Sequence, residues 1–187
     1  MRVLLMGPPG AGKGTQAVVV SERLGVPHIS TGDIFRANVA GGTPLGIEAK
    51  RYMDAGDYVP DSVTNAMVRD RLAQPDAAAG FLLDGYPRTV AQVEELAGML
   101  AEQGTALDHV VELTVDRDEL VSRLVKRAAE QGRSDDTEDV IRRRQEVFEE
   151  QTAPLTALYE AQGLLVRVDG MGDVDDVTAR VLAVLGA

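Results

Sequence analysis

Residues 7–16 read GPPGAGKGTQ, directly after the apolar run RVLLM. The spacing Gly7, Gly12, Lys13 is that of a phosphate-binding loop, which works between a strand and a helix. The expected strand covers residues 3–6 and the expected helix residues 13–24. Glycines such as Gly10 and Gly12 admit positive φ and let N–H groups, including that of Ala11, approach phosphate oxygens. The helix N-terminus adds partial positive charge, and Lys13 adds a mobile cation. The same residues fit an ordinary Gly-rich turn, but position, context and lysine together favour phosphate. The residue after the lysine is Gly14, and the hydroxyl comes one place later, on Thr15. In most phosphate-loop enzymes a Ser or Thr after the lysine binds Mg²⁺. Thr15 lies about 100° further around the helix and need not replace that ligand. That order weakens a GTPase or motor-ATPase reading.

Such a loop commits the chain to an α/β sheet, and the rest of the pattern agrees. Apolar runs at 3–6, 26–29, 81–84, 109–113 and 164–168 read as five strands, separated by mostly helical segments. Apolar runs without alternation suit strands buried on both faces, so the sheet is expected to be parallel, in a three-layer sandwich. Residues 30–60 hold two helical stretches around GGTP, more than one crossover needs, and read as a lobe off the core. Residues 127–136 read as a small charged loop between two helices. At 187 residues the chain is expected to be one domain.

A net charge of −11 disfavours nucleic acid and anionic membrane as partners. Any bound anion needs a local cationic cluster. Lysine occurs at 13, 50 and 126, and the other 16 of the 19 basic residues are arginine. The absence of cysteine excludes disulfides and cysteine-based zinc sites. No apolar run approaches the ~18 residues of a membrane span. The N-terminus reads as a strand rather than a signal peptide, so a cytoplasmic protein is expected.

A second polar cluster, DGYPRTVAQ, occupies residues 84–92. Asp84 ends the third strand at the carboxyl edge, where ligands bind in open α/β sheets. A carboxylate there can hold the waters of Mg²⁺. Gly85 permits close backbone approach, and Pro87 fixes a turn that presents Arg88. The segment also fits a plain strand–turn–helix junction with an Asp cap. Further on, TEDVIRRRQEVF places Val140, Ile141, Val147 and Phe148 on one helical face. Arg144 falls on that inward stripe, whereas Arg142 and Arg143 do not. An inward arginine needs an anionic partner: a ligand, or an Asp or Glu in a buried ion pair. His28 and His109 sit in or beside strands and read as structural.

GPPGAGKGTQ resembles the loop of adenylate kinases and their nucleoside-monophosphate kinase relatives. STGD at 30–33 and DGYPR at 84–88 resemble two further signatures of that family, and the resemblance spans essentially the whole chain. It implies a P-loop kinase core of residues 1–29, 60–126 and 137–187, a helical monophosphate-binding lobe of 30–59 and a short lid of 127–136. It further implies that Gly10 through Thr15 bind ATP phosphates. Arg123 would stack near the ATP adenine, and the Gly172 backbone would contact it. Arg36 and Arg88 would grip the AMP phosphate, Gln92 would read the adenine, and Thr31 and Met53 would line the pocket. Asp57, Tyr58 and Val59 would line it too, mostly through backbone, so that the identity of Tyr58 need not matter. Gly85, Tyr86 and Pro87 complete that wall. Lys13, Arg88, Arg127, Arg133 and Arg144 would be the phosphate-binding catalytic cations. Asp135 and Asp136 would steady the arginines, or cap a helix. Asp84 would hold Mg²⁺ through water.

Five residues separate Arg127 from Arg133, so the resemblance is to a short-lid form without structural zinc. Thr31, Gln92 and the Thr89 that follows Arg88 point to AMP, where pyrimidine-type relatives usually carry Ala and a PRN continuation. The implied reaction is Mg·ATP + AMP ⇌ 2 ADP, by a monomer. The AMP phosphate is already an anionic nucleophile, which explains why no general base stands out. A UMP/CMP kinase on the same scaffold and, in another class, a nucleotide-switch ATPase are the competing readings.

Overall fold

The computed structural model describes residues 1–131 and 137–187, with Glu130 and Gln131 by backbone alone. Five strands, β1 (Arg2–Met6), β2 (His28–Ser30), β3 (Phe81–Asp84), β4 (His109–Thr114) and β5 (Leu165–Asp169), form one sheet in the order β2-β3-β1-β4-β5. Every pairing is parallel. This bears out the expected five-stranded parallel sheet.

The unalternating apolar runs are explained by the two sides of β1. Leu4 and Met6 pack with Phe81, Leu83 and Val110 under α4 (Asp61–Leu72), α5 (Val90–Glu102) and α8 (Leu155–Ala161). Val3 and Leu5 pack with Leu82, Val111 and Leu113 under α1 (Lys13–Leu24), α6 (Arg117–Gln131) and α9 (Val174–Leu185). Successive side chains point to opposite faces, and helices cover both. Each such aliphatic side chain, once buried, stabilises the fold by about 1.5–3 kcal/mol.

Strand ends differ from expectation where the chain's N–H groups are used elsewhere. Strand β2 starts at His28 because the Val26 N–H donates to Ser21 O, closing α1 behind Gly25 (φ 65°). Strand β5 starts at Leu165 because the Leu164 N–H donates to Tyr159 O at the end of α8. Helix α1 begins and ends where the sequence places it.

Helices α2 (Thr31–Ala40) and α3 (Pro44–Ala55) are capped by Ser30 and Thr43. They pack around a separate small cluster of Phe35, Ala49 and Val59. Gly46 makes their close crossing possible, since a Cβ there would sit 2.1 Å from Asn38 O. Helix α7 (Glu138–Val147) follows α6. Helix α6 continues to Gln131, so the first part of the expected loop at 127–136 is helix and Arg127 is a helical residue. Arg133, Asp135 and Asp136 lie outside the described residues.

Candidate active site

Helix α1 is preceded by glycines in the conformations a phosphate loop needs. Gly10 and Gly12 have φ of 90° and 91°. A Cβ on Gly10 would meet Leu120 O and Leu124 Cγ at 3.0 Å, so the loop lies tight on α6. Lys13 Nζ donates to Gly7 O at 2.7 Å and Pro8 O at 3.0 Å, folding the side chain over the loop. Gly14 and Thr15 are exposed. Burial lowers the Lys13 pKa to about 8; Asp84 opposes the shift, and Arg88, Arg144 and Arg127 add to it. Residues far apart in sequence therefore share one field around Lys13. Arg144 and Arg127 both have further interactions within the chain.

Asp84 ends β3 and is 8% exposed. A Cβ on Gly14 would lie 3.9 Å from its Oδ2, so the two elements meet there. His28 Nε2 sits 3.9 Å from the same oxygen, buried and without a hydrogen-bond partner among the described residues. His28 is thus a strand residue, as expected, whose ring lies near the Asp84 carboxylate. No group of three or more His, Asp or Glu able to hold a metal occurs among the described residues. One carboxylate beside a phosphate loop suits a hydrated Mg²⁺ held mainly by ligand phosphates, not an all-protein cage.

Beside this loop is a pocket lined by Thr31, Arg36, Met53, Asp57, Tyr58, Val59, Gly85, Arg88, Gln92 and Arg144. The structure thus brings together residues from α2, α3, α5 and α7. Thr31 Oγ1 donates to Gly85 O at 2.9 Å. Gly85 has φ 81°, and a Cβ there would strike Thr31 Oγ1 at 2.7 Å and Arg88 Nη2 at 2.9 Å. Arg36 Nη2 donates to Asp33 Oδ1 at 2.5 Å, which occupies one edge of its guanidinium. Gln92 accepts from Arg88 N at 2.7 Å and donates to Asp61 Oδ1 at 2.7 Å. Its amide retains a second N–H and a second lone pair for a ligand. Arg144 lines the pocket while Arg142 and Arg143 are exposed, as the helical stripe requires.

A second cavity adjoins the first and is lined by Gly7, Pro9, Lys13, Pro87, Phe148 and Thr152, among others. Gly85, Arg88 and Tyr58 line both cavities. Tyr86 and Pro87 of the expected wall line this second cavity rather than the first, and Tyr86, 2% exposed, packs in the core and donates to Asn65 Oδ1 at 2.8 Å. On the far side of the loop, Arg123 donates to Gly170 O at 3.2 Å and to Glu119 at 2.7 Å. Arg180 donates to Met171 O at 2.9 Å and to Asp169 O, holding the turn that contains Gly172 (φ 97°). Arg123, Gly172 and Arg127 line neither of the two pockets.

Several supporting residues were not legible in the sequence. Gln145 Nε2 donates to Pro9 O at 3.0 Å, tying α7 to the phosphate loop. Asp61 accepts from both Thr89 and Gln92. Thr152 donates to Arg88 O. Only Gln145 carries a signal, its place next to the inward-facing Arg144; the others act across folds of the chain that no local pattern encodes.

The adenylate kinase family model matches residues 5–164. The adenylate kinase of Nocardioides sp. is 66% identical over 99% of this chain and 97% of that protein. That of Kocuria rhizophila is 66% identical over 98% of each. That of Thermobifida fusca is 58% identical over 99% of this chain and 98% of its own length. With the phosphate loop, the adjoining pocket and the likeness running the length of the chain, this protein belongs to the adenylate kinase family.

Proposed function

We propose that the chain moves the terminal phosphoryl group of ATP to AMP, giving two ADP. The observation that carries this is Arg88. It lines both the phosphate-loop cavity and the adjoining pocket, where a donor and an acceptor phosphate would meet. An oxygen of the AMP phosphate attacks the γ-phosphorus; the bond from that phosphorus to the β–γ bridging oxygen breaks, and ADP leaves. Catalysis then consists of alignment and charge neutralisation.

In this reading Lys13 and the loop N–H groups, from Gly10 to Thr15, hold the donor phosphates. Arg88, with Arg36, holds the acceptor phosphate. Arg127, Arg133 and Arg144 neutralise charge on the transferred group. Arg123 and Gly172 seat the donor adenine, and Thr31, Gln92 and the segment 57–59 seat the acceptor. Residues 30–59 act as a lobe that closes over AMP and excludes water, with residues 127–136 as a short lid. Asp84 and, through phosphates, the loop would hold Mg²⁺, which supplies charge neutralisation on the donor phosphates. No described helix is long and apolar enough to cross a membrane, and the protein is read as a cytoplasmic monomer.

An acceptor panel tests the reading. With ATP fixed, AMP, CMP, UMP and GMP are compared by ADP formation. AMP is expected to lead. Preference for UMP or CMP would select the pyrimidine alternative, and phosphate release without any acceptor would select an ATPase.

A further inference from the structure

Arg88 is fixed by contacts from two distant parts of the chain as well as its own turn. Its Nε donates to Gly85 O at 2.6 Å. Its guanidinium carbon lies 4.9 Å from the centroid of the Tyr58 ring. Its carbonyl accepts from Thr152 Oγ1 at 2.9 Å, and that same Oγ1 lies 2.7 Å from the Tyr58 hydroxyl. A threonine hydroxyl has one hydrogen, and here Arg88 O takes it. The Tyr58 O–H is therefore the donor to Thr152, and a directed chain runs from Tyr58 through Thr152 to Arg88. Tyr58 thus touches Arg88 twice, by its ring on the guanidinium and by its hydroxyl through Thr152.

An aromatic face attracts a guanidinium and leaves the N–H edge directed outward. Arginine is otherwise a long, many-rotamer side chain, so holding it before the anion arrives lowers the ordering cost of binding. We propose that the Tyr58 side chain is a positioning residue for Arg88, presetting it for the phosphate of the acceptor nucleotide. The backbone role expected for this position understates it. The proposal rests on the reading of the pocket as a monophosphate site.

The test compares Tyr58→Leu and Tyr58→Phe with the wild type. Tyr58→Leu removes ring and hydroxyl and is expected to raise KM for AMP about fivefold to tenfold, with KM for ATP changed less than about twofold. Tyr58→Phe restores the ring and is expected to recover most of that loss. An AMP KM within twofold of wild type in Tyr58→Leu would overturn the proposal. So would parallel rises for AMP and ATP, or a Phe variant as impaired as the Leu variant. The Arg88 Nε–H resonance, displaced by the Tyr58 ring current, gives a second readout free of turnover. It should move in Tyr58→Leu and stay close to the wild-type position in Tyr58→Phe; no movement in Tyr58→Leu would also overturn the proposal. A wild type that makes no ADP from ATP and AMP would sink the functional reading, while this resonance would still decide the role of Tyr58.

Discussion

Arg143 Nε donates to Asp57 Oδ1 at 2.8 Å, joining α7 to the segment just after α3 across 86 residues of chain. The backbones approach closely as well, since a Cβ on Gly56 would lie 3.0 Å from Val140 O. The bridge clamps the rim of the pocket lined by Asp57 and Arg88 against the helix that carries Arg144. The side chains of Arg143 and Asp57 are 44% and 41% exposed, so salt screens their attraction. Arg143→Ala should therefore raise KM for AMP by only about twofold at low ionic strength. Kinetics repeated near 1 M salt should show the two proteins converging; a difference that persists there would mean the bridge is not electrostatic.

Lys13→Met should lower turnover by roughly 10²–10³ or more, the scale of losing one preorganised charge at a transition state. The fold should survive. Burial already disfavours the charged amine in the folded state, so its removal should leave the melting temperature unchanged or slightly higher. Near-wild-type turnover would remove Lys13 from the mechanism; a collapsed melting temperature would make its role structural.

The lowered Lys13 pKa of about 8 has a direction in pH. In the nucleotide-free protein the unfolded chain binds more protons than the folded one between about 8 and the ordinary lysine value of 10.5, so this group's contribution to stability rises with pH across that window. Activity should go the other way. The profile of kcat/KM for ATP reports the free enzyme and should fall above about pH 8. A bound polyphosphate favours the charged amine, so nucleotide binding near pH 8.5 should take up protons, visible by calorimetry in buffers of different ionisation enthalpy. Proton release would reverse the assignment.

Gly85→Ala should be costly twice. At φ 81° a side chain is strained by about 1–3 kcal/mol, and its Cβ would strike Thr31 and Arg88. The variant should melt lower and lose AMP affinity more than ATP affinity. Equal loss on both substrates would place the damage outside the acceptor pocket.

Arg88→Ala should likewise weaken AMP use more than ATP binding if, as proposed, Arg88 holds the acceptor phosphate in the pocket it lines with Thr31 and Gln92. Separate ATP affinity and AMP KM measurements decide it; equal losses would count against the acceptor assignment.

Much of this was legible because it is local. The loop spacing, the helix that starts at Lys13 and the apolar strand runs follow from φ preferences, periodicity and burial on both faces. The inward side of Arg144 follows from helical period alone. The residues that fit poorly are those whose surroundings come from elsewhere in the chain. Tyr86 belongs to the expected pocket wall by sequence, yet its ring is drawn into the core, where Asn65 satisfies its hydroxyl. Tyr58 reads as a backbone position, yet its ring lies on Arg88.

The phosphate loop, the parallel α/β sandwich and the family are all written in the sequence, since each rests on spacing or on a run of residues. Which distant side chains support the site follows from the packing of the folded chain. Asp61 on Gln92, Thr152 on Arg88 and Gln145 on Pro9 depend on how helices cross the sheet. Contacts of that kind are set by packing geometry across tens to more than a hundred residues, where local propensity and periodicity carry no information.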